Sequence, residues 1–396
     1  MAIPTLDDLL RAPGGVRGKR VLVRADLNVP LADGRIRDDA RVRASLPTLR
    51  RLLAAGARVV LASHLGRPKQ GPDPAFSLRP VAERLGALLG RPVAFCPHVV
   101  GPEAEAAVAK LRDGEVLLLE NVRFEPGETK NDPELARRFA ALADAYVNDA
   151  FGTAHRAHAT TAGVAKLVPR VAAGELLLSE LSHLRVVREP ERPLLCLLGG
   201  AKVSDKLAVL EALAPHADVL AVGGAMAYTF LRAAGQPTGA SLVEEERVAD
   251  AGRVAEAARA AGRRLLLPVD HVVAERVDAG APARVVDRVP DGWMGLDVGP
   301  RTAALYAEEA GRARTIFWNG PMGVFELEPF AKGTEAVARA VADSKATSVV
   351  GGGDSLAAVA KMGVADRISH LSTGGGASLE YVQGLELPGV AALEGR

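Results

Sequence analysis

"PLLCLLGGAKVSDK", residues 193–206, sets five apolar residues between a proline and a glycine pair, Gly199 and Gly200. An apolar run this short, bounded by Pro and Gly, reads as a buried strand rather than a helix. After the glycines, Lys202 and Lys206 fall at i and i+4, the spacing of one face on the first turns of a helix. A strand that ends in glycine and opens into a helix is the repeating unit of an α/β protein. In such sheets ligands gather beyond the carboxyl ends of the strands.

The same unit recurs on both sides. Before this stretch, strands are expected at 19–26, 57–64, 92–96, 115–121 and 145–149, with helix-period sequence between them. After it they are expected at 218–224, 264–270, 315–320 and 347–354, and again at "DRISHL" before "STGGGAS" (372–378). Between the halves, "AGELLLSELSHLRVVREPERP" lines up Leu177, Leu181 and Leu184 on one helical face and then runs into Pro190 and Pro193. The expectation is two doubly wound, mainly parallel-sheet α/β domains joined by a connecting helix and hinge. Residues 1–172 form the first, 173–189 the connection and 190–378 the second, followed by a tail at 379–396.

A chain of 396 residues that is 48% hydrophobic can bury two cores. With 49 basic and 48 acidic residues the net charge is +1, which offers no field for a nucleic-acid backbone. No apolar run approaches the roughly 20 residues needed to span a bilayer. The N-terminus has no signal-peptide pattern, and Cys96 and Cys196 show neither zinc nor redox spacing. These features place the protein in the cytoplasm, with small-molecule partners and neither nucleic acid nor membrane.

The strand ends of the first half supply Asp26, Asn28, His64, Arg67, Arg123 and Arg156, and Arg41 opens a helix. One arginine alone is most often a solvated surface charge. Recurrence at successive strand ends points instead to a site for a small, multiply negative molecule, because guanidinium forks match phosphate and carboxylate oxygens. His155 and His158 could in principle bind zinc, but their neighbours are Arg and Thr rather than further ligands.

The second half offers glycine-rich turns with Lys202 and Lys206, then "GGAMAYT", "WNGPMGVFE" and "GGGDS". Neither a Walker pattern nor GxGxxG is present. Exposed backbone N–H groups and ammoniums suit phosphates, and Asp354 could hold Mg²⁺ or cap a helix. Glu326 could equally be a solvated loop carboxylate. A donor half facing an acceptor half suggests phosphoryl transfer, which depends on positioning and charge neutralisation. No general base stands among the arginines, which favours an acceptor already ionised at neutral pH, a carboxylate. A metal-dependent phosphohydrolase would need clustered metal ligands, and a hinge-closing anion-binding protein would not need the Lys and Asp equipment of the second half.

Taken in order, "RADLNVP", "SHLGRP", "YVNDAFGTAHRAH", "LLGGAKVSDK", "GWMGLDVGP", "WNGPMGVFE", "GGGDS" and "STGGGASLE" resemble the signature segments of the phosphoglycerate kinase family across nearly the whole chain. The resemblance implies a Mg²⁺-dependent, monomeric transferase of glycolysis, which moves a phosphoryl group between ATP/ADP and 3-phosphoglycerate by closing on a hinge. It assigns Asp26, Leu27, Asn28, Arg41, His64, Leu65, Gly66, Arg67, Arg123 and Arg156 to 3-phosphoglycerate, with Arg41 near the reacting carboxylate. Lys202 and Lys206 would meet nucleotide or transferred phosphate, and Asp354 would hold Mg²⁺. Gly223, Gly224, Gly295, Asn319, Glu326, Gly352, Gly353 and Ser355 would line the ATP site, with Glu326 at the ribose. Gly374, Gly375 and Gly376 would aim a helix N-terminus at the transferred phosphate, and the tail would return to the first domain. Ala25 and Leu27 stand where the family usually has Val and Phe, a matter of packing beside the ligands.

Overall fold

The computed structural model describes residues 3–32, 34–69 and 71–395; Met1, Ala2, Asp33, Gln70 and Arg396, which fall within the expected first domain and tail, lie outside these. The chain divides into two compact units. One comprises the residues up to Leu181 together with those from Glu386 onward, and the other is Ser182–Leu385.

In chain order the first unit contains β1 (Arg20–Ala25), a short hairpin of β2 (Leu31–Ala32) and β3 (Arg35–Ile36), then β4 (Arg58–Ala62), β5 (Ala94–Phe95), β6 (Val116–Leu118), β7 (Ala145–Asp149) and β8 (Val171–Ala173). Six of these make one parallel sheet in the order β5-β6-β4-β1-β7-β8. The strands are Val- and Leu-rich and buried along nearly their whole length, as expected when helices cover both faces. Winding starts at β1, proceeds to one side, and resumes at β7 on the other. The carboxyl ends of β1 and β7 therefore flank the crevice at which the winding reverses. The strand β8 is an element that the sequence reading did not contain; at three residues it is too short to stand out.

The second unit contains β9 (Leu194–Leu198), β10 (Val219–Val222), β11 (Arg264–Leu266), β12 (His271–Ala274), β13 (Arg284–Val286), β14 (Met294–Val298), β15 (Thr315–Asn319), β16 (Thr347–Gly351) and β17 (His370–Ser372). Its parallel sheet runs β11-β10-β9-β15-β16-β17, with the reversal between β9 and β15. A separate antiparallel sheet, β13-β12-β14, carries its own small apolar clusters around Tyr228 and Phe330. The sequence reading did not foresee this sheet, because its strands are only three to five residues long and β13 is largely exposed.

The helix Glu175–Arg188 carries the chain from one unit into the other. Near the other end of the chain, Gly389 is held in the first unit: its N–H donates to the Ala154 carbonyl at 2.8 Å, and its own carbonyl accepts from Asn148 Nδ2 at 3.0 Å. Among the described residues, no helix is long and apolar enough to cross a membrane.

One local expectation is corrected. Lys202 and Lys206 do not sit on helical turns; the helix begins at Leu207, and both lysines belong to the turn that precedes it. Glu244 holds that turn by accepting from Ser204 through both its backbone N–H, at 3.0 Å, and its hydroxyl, at 2.5 Å.

Candidate active site

In the first unit the segment after β1 is built by short-range polar contacts. Asp26, almost buried, accepts from Arg41 Nη1 at 2.6 Å, and the Leu27 N–H donates to Ser63 Oγ at 2.9 Å. Asn28 Oδ1 accepts the Gly66 N–H at 2.7 Å, which ties the loop after β1 to the loop after β4. Asn121 continues the chain of contacts, accepting from Leu65 N and donating to Leu65 O, while Arg123 Nη1 reaches the Gly66 carbonyl at 2.6 Å. Asp26, Leu27, Asn28, Arg41, Leu65, Gly66 and Arg123 are thus one connected set.

Gly66 has φ +60°, and a Cβ there would lie 2.4 Å from the Phe76 ring, so this turn requires glycine. Beside the set opens a cavity of about 770 Å³ whose walls include Arg67, Lys69, Arg123, Glu125, Arg156 and His158.

Burial and positive charge dominate the electrostatics around this cleft, with Glu128 and Asp26 opposing at Arg123. Burial, then Arg24 and the other guanidiniums, push His64 well below the ordinary imidazole range. The same causes bring His158 down to about 4 and pull Arg123 down as well. Both imidazoles are therefore neutral at pH 7 inside a ring of fixed positive charge, a field that calls for an anion. His158 Nδ1 lies 3.8 Å from Glu128 Oε1, and among the described residues no group of three or more His, Cys, Asp or Glu is arranged to hold a metal.

Three residues of this region escaped the sequence reading: Arg24, Glu128 and Thr160. Arg24 sits inside β1 at 1% exposure, where a strand residue flanked by Val and Ala gives no sign of its function.

In the second unit the reversal point is packed backbone on backbone. Gly199 N donates to Asn319 O at 3.0 Å and Gly200 N to Pro321 O at 3.1 Å. A Cβ on Gly224, whose φ is +65°, would lie 2.6 Å from both the N and the O of Gly200. These glycines let three loops meet at the floor of a cavity of about 350 Å³. Gly224, Gly295, Glu326 and Asp354 line it together with Gly200 and Pro321, and with apolar walls from Leu242, Val277, Leu296 and Val324. Leu242 and Val277 are half exposed yet come from irregular segments, so no periodicity in the sequence marks them.

Behind the lining, Asn319 accepts from Lys206 Nζ and donates to the Gly351 carbonyl at 2.8 Å. Ser355 Oγ accepts the Gly320 N–H at 2.5 Å. Burial pulls the Lys206 ammonium down, with Asp354 and then Asp205 opposing. Gly223, Lys206, Asn319, Gly352, Gly353 and Ser355 thus stand around the lining rather than in it. Lys202 is exposed on its turn, and Gly375 and Gly376 lie at the opening of the helix Gly376–Val382, outside the cavity wall. Asp354 occupies the first turn of the helix Gly353–Lys361, whose N-cap is Gly352, so its carboxylate is not used as a cap. An exposed carboxylate on the wall of this cavity fits Mg²⁺, which is usually bound by one or two carboxylates plus substrate phosphates.

Comparison with known proteins agrees over nearly the full length. Residues 12–385 match the family model described as phosphoglycerate kinase. The chain is 60% identical over 384 residues to a phosphoglycerate kinase of Rubrobacter xylanophilus, covering 96% of this chain and 97% of that one. It is 57% identical to that of Moorella thermoacetica, with 99% of each covered. Among solved structures, phosphoglycerate kinase from Coxiella burnetii superposes with a TM-score of 0.90 at 43% identity and 99% coverage of both chains. The enzyme from Pyrococcus horikoshii gives 0.86 at 36% identity, covering 99% of this chain and 98% of that one.

Proposed function

The chain belongs to the phosphoglycerate kinase family, and from that premise we propose how its two clefts divide the reaction. The enzyme transfers a phosphoryl group reversibly between ATP and the carboxylate of 3-phosphoglycerate, giving ADP and 1,3-bisphosphoglycerate, a step of glycolysis and gluconeogenesis. The single observation that carries the assignment of the acceptor is the basic cleft of the first unit, where Arg67, Arg123, Arg156 and His158 line one cavity.

In this reading Arg67, Arg123 and Arg156 bind the acceptor's phosphate, and Asp26, Asn28 and His64 orient its body. Leu27, Leu65 and Gly66 shape the wall. Arg41, steered by Asp26, neutralises charge on the transferring group. The acceptor carboxylate needs no base, since it is already ionised.

The cavity of the second unit takes the nucleotide, with Gly295 and the apolar wall against the base and Glu326 at the ribose. Gly223, Gly224, Gly352, Gly353, Asn319 and Ser355 hold the loops that approach the phosphates. Lys202, Lys206 and the turn Gly375–Gly376 receive charge from the transferring group. Asp354 would hold Mg²⁺, which supplies charge neutralisation at the phosphates. Substrates bound to separate units must be brought into line, so closure on a hinge is part of the cycle. In this reading the protein is a cytoplasmic monomer whose partners are small molecules, and its near-neutral net charge offers no field for a nucleic-acid backbone.

The test is to incubate the protein with Mg-ATP and 3-phosphoglycerate and to trap acyl phosphate with hydroxylamine. Trapping should require the acceptor and should fall by about 10²–10³ in Arg41→Ala and Lys206→Ala. Unimpaired trapping in either variant would remove that residue from the mechanism.

A further inference from the structure

Beneath the acceptor cleft runs a buried chain of polar side chains. Glu128 is fully buried, and its two oxygens accept from the Thr160 hydroxyl at 2.5 Å and the Thr160 N–H at 3.1 Å. Thr160 Oγ1 accepts from Arg24 Nε at 2.9 Å. Arg24, also buried, places Nη1 on its neighbour's carbonyl, Ala25 O, at 2.5 Å and Nη2 3.2 Å from His64 Nδ1.

The direction of each link made by Arg24 is fixed by what the groups can do. A guanidinium only donates, so the Thr160 oxygen must accept from Arg24, and its single proton is then free for Glu128. By the same rule His64 Nδ1 must accept from Arg24, so a neutral His64 carries its proton on Nε2. Burial is the largest influence on Glu128 and raises its pKa, while Arg24 and the two Thr160 donors oppose that rise and favour the carboxylate. A buried guanidinium without a nearby anion would be costly, and Glu128 is the buried carboxylate that Thr160 links to it.

We propose that Glu128, acting through the Thr160 hydroxyl, is a positioning residue that holds Arg24 against His64 and so fixes His64 as the Nε2–H tautomer for the acceptor. The proposal rests on the assignment of His64 to the acceptor site. It adds to that assignment a three-residue support formed by contacts far apart in sequence, between positions 24, 128 and 160. The Thr160 carbonyl is separately held by the Tyr146 hydroxyl at 2.8 Å, so the loop has an anchor that survives loss of the threonine hydroxyl.

The experiment compares wild type with Thr160→Val, which removes the hydroxyl at nearly constant shape, Thr160→Ser, which restores it, and Glu128→Gln, which removes the charge and turns one of the two acceptor oxygens into a donor. Nitrogen-15 spectra of the histidine rings report the tautomer of His64 without any turnover. Wild type and Thr160→Ser should show the proton on Nε2, and Thr160→Val and Glu128→Gln should show loss of that single tautomer. In the two defective variants the KM for 3-phosphoglycerate should rise by about tenfold, the effect of one lost charge-assisted hydrogen bond, with kcat and the KM for ATP unchanged. An unchanged His64 tautomer in folded Thr160→Val or folded Glu128→Gln overturns the proposal. Equal loss of kcat and both KM values, not rescued by Thr160→Ser, would make the chain merely structural and overturn it as well. Absence of acceptor-dependent turnover in wild type would strike the kinase assignment instead, and the ring spectra would still decide the positioning of His64.

Discussion

A Cβ placed on Gly152 would lie 2.3 Å from Asp26 Oδ2, the same oxygen that receives Arg41 Nη1 at 2.6 Å. The turn after β7 is therefore pressed against the carboxylate that aims Arg41. Gly152→Ala must displace either the turn or the Asp26 side chain, at a cost of about 1–3 kcal/mol for overpacking a filled site. The expected outcome is a lower urea midpoint together with a fall in kcat, since Arg41 loses its fixed partner. Steady-state kinetics on the folded variant check this, and an unchanged kcat would separate Arg41 from Asp26.

The cavity of the second unit, proposed to take the nucleotide, has a similar relationship. A Cβ on Gly295 would lie 1.7 Å from the Tyr228 hydroxyl, which is itself 3.1 Å from His271 Nδ1. Tyr228 is buried, so in Gly295→Ala the strand β14 and the ring must part, and because Gly295 lines the cavity the cavity changes shape. The KM for ATP should rise by about tenfold or more, roughly 1.4 kcal/mol for each decade, while the KM for 3-phosphoglycerate stays unchanged. A parallel rise in both constants would mean that the substitution acts on the whole fold.

Asp354 sits in the first turn of the helix Gly353–Lys361 and lines the same cavity. If it holds Mg²⁺, Asp354→Asn keeps the shape and removes one unit of charge from the ion. The Mg²⁺ concentration giving half-maximal rate should increase by about tenfold or more. Chelation of Mg²⁺ should abolish turnover in both proteins. Titration of rate against free Mg²⁺ is the measurement, and superimposed curves would move the metal elsewhere.

The parts of this molecule that were legible in the sequence are those written in short range. Each main strand is an apolar run closed by glycine or a polar turn, so "LLCLLGG" and "SVVGGGD" announce both a strand and the loop beyond it. The basic and glycine-rich residues at those ends could be gathered because the α/β topology brings strand ends together. What was not legible depends on distant pairing. Arg24 meets Thr160 because β1 and β7 are neighbours, and the turn before Leu207 is tied to Glu244, forty residues from Ser204. The walls from Leu242 and Val277 come from loops whose exposed apolar residues follow no period.

His158 gives the acceptor cleft a measurable dependence of stability on pH. Burial, and after it Arg24 and Arg123, bring its pKa from 6.5 in the unfolded reference to about 4 in the folded chain. Between those two values the unfolded chain takes up a proton that the folded one refuses, so acid favours unfolding. The contribution of His158 is complete above pH 6.5, shrinks as pH falls, and is gone once pH has passed below about 4. His158→Gln cannot titrate and should lose less stability than wild type between pH 7 and pH 5. His64, pushed in the same direction by its own burial, leaves part of the slope in place. Urea midpoints of the two proteins at both pH values decide the matter, and parallel pH profiles would show that His158 already titrates normally in the folded state.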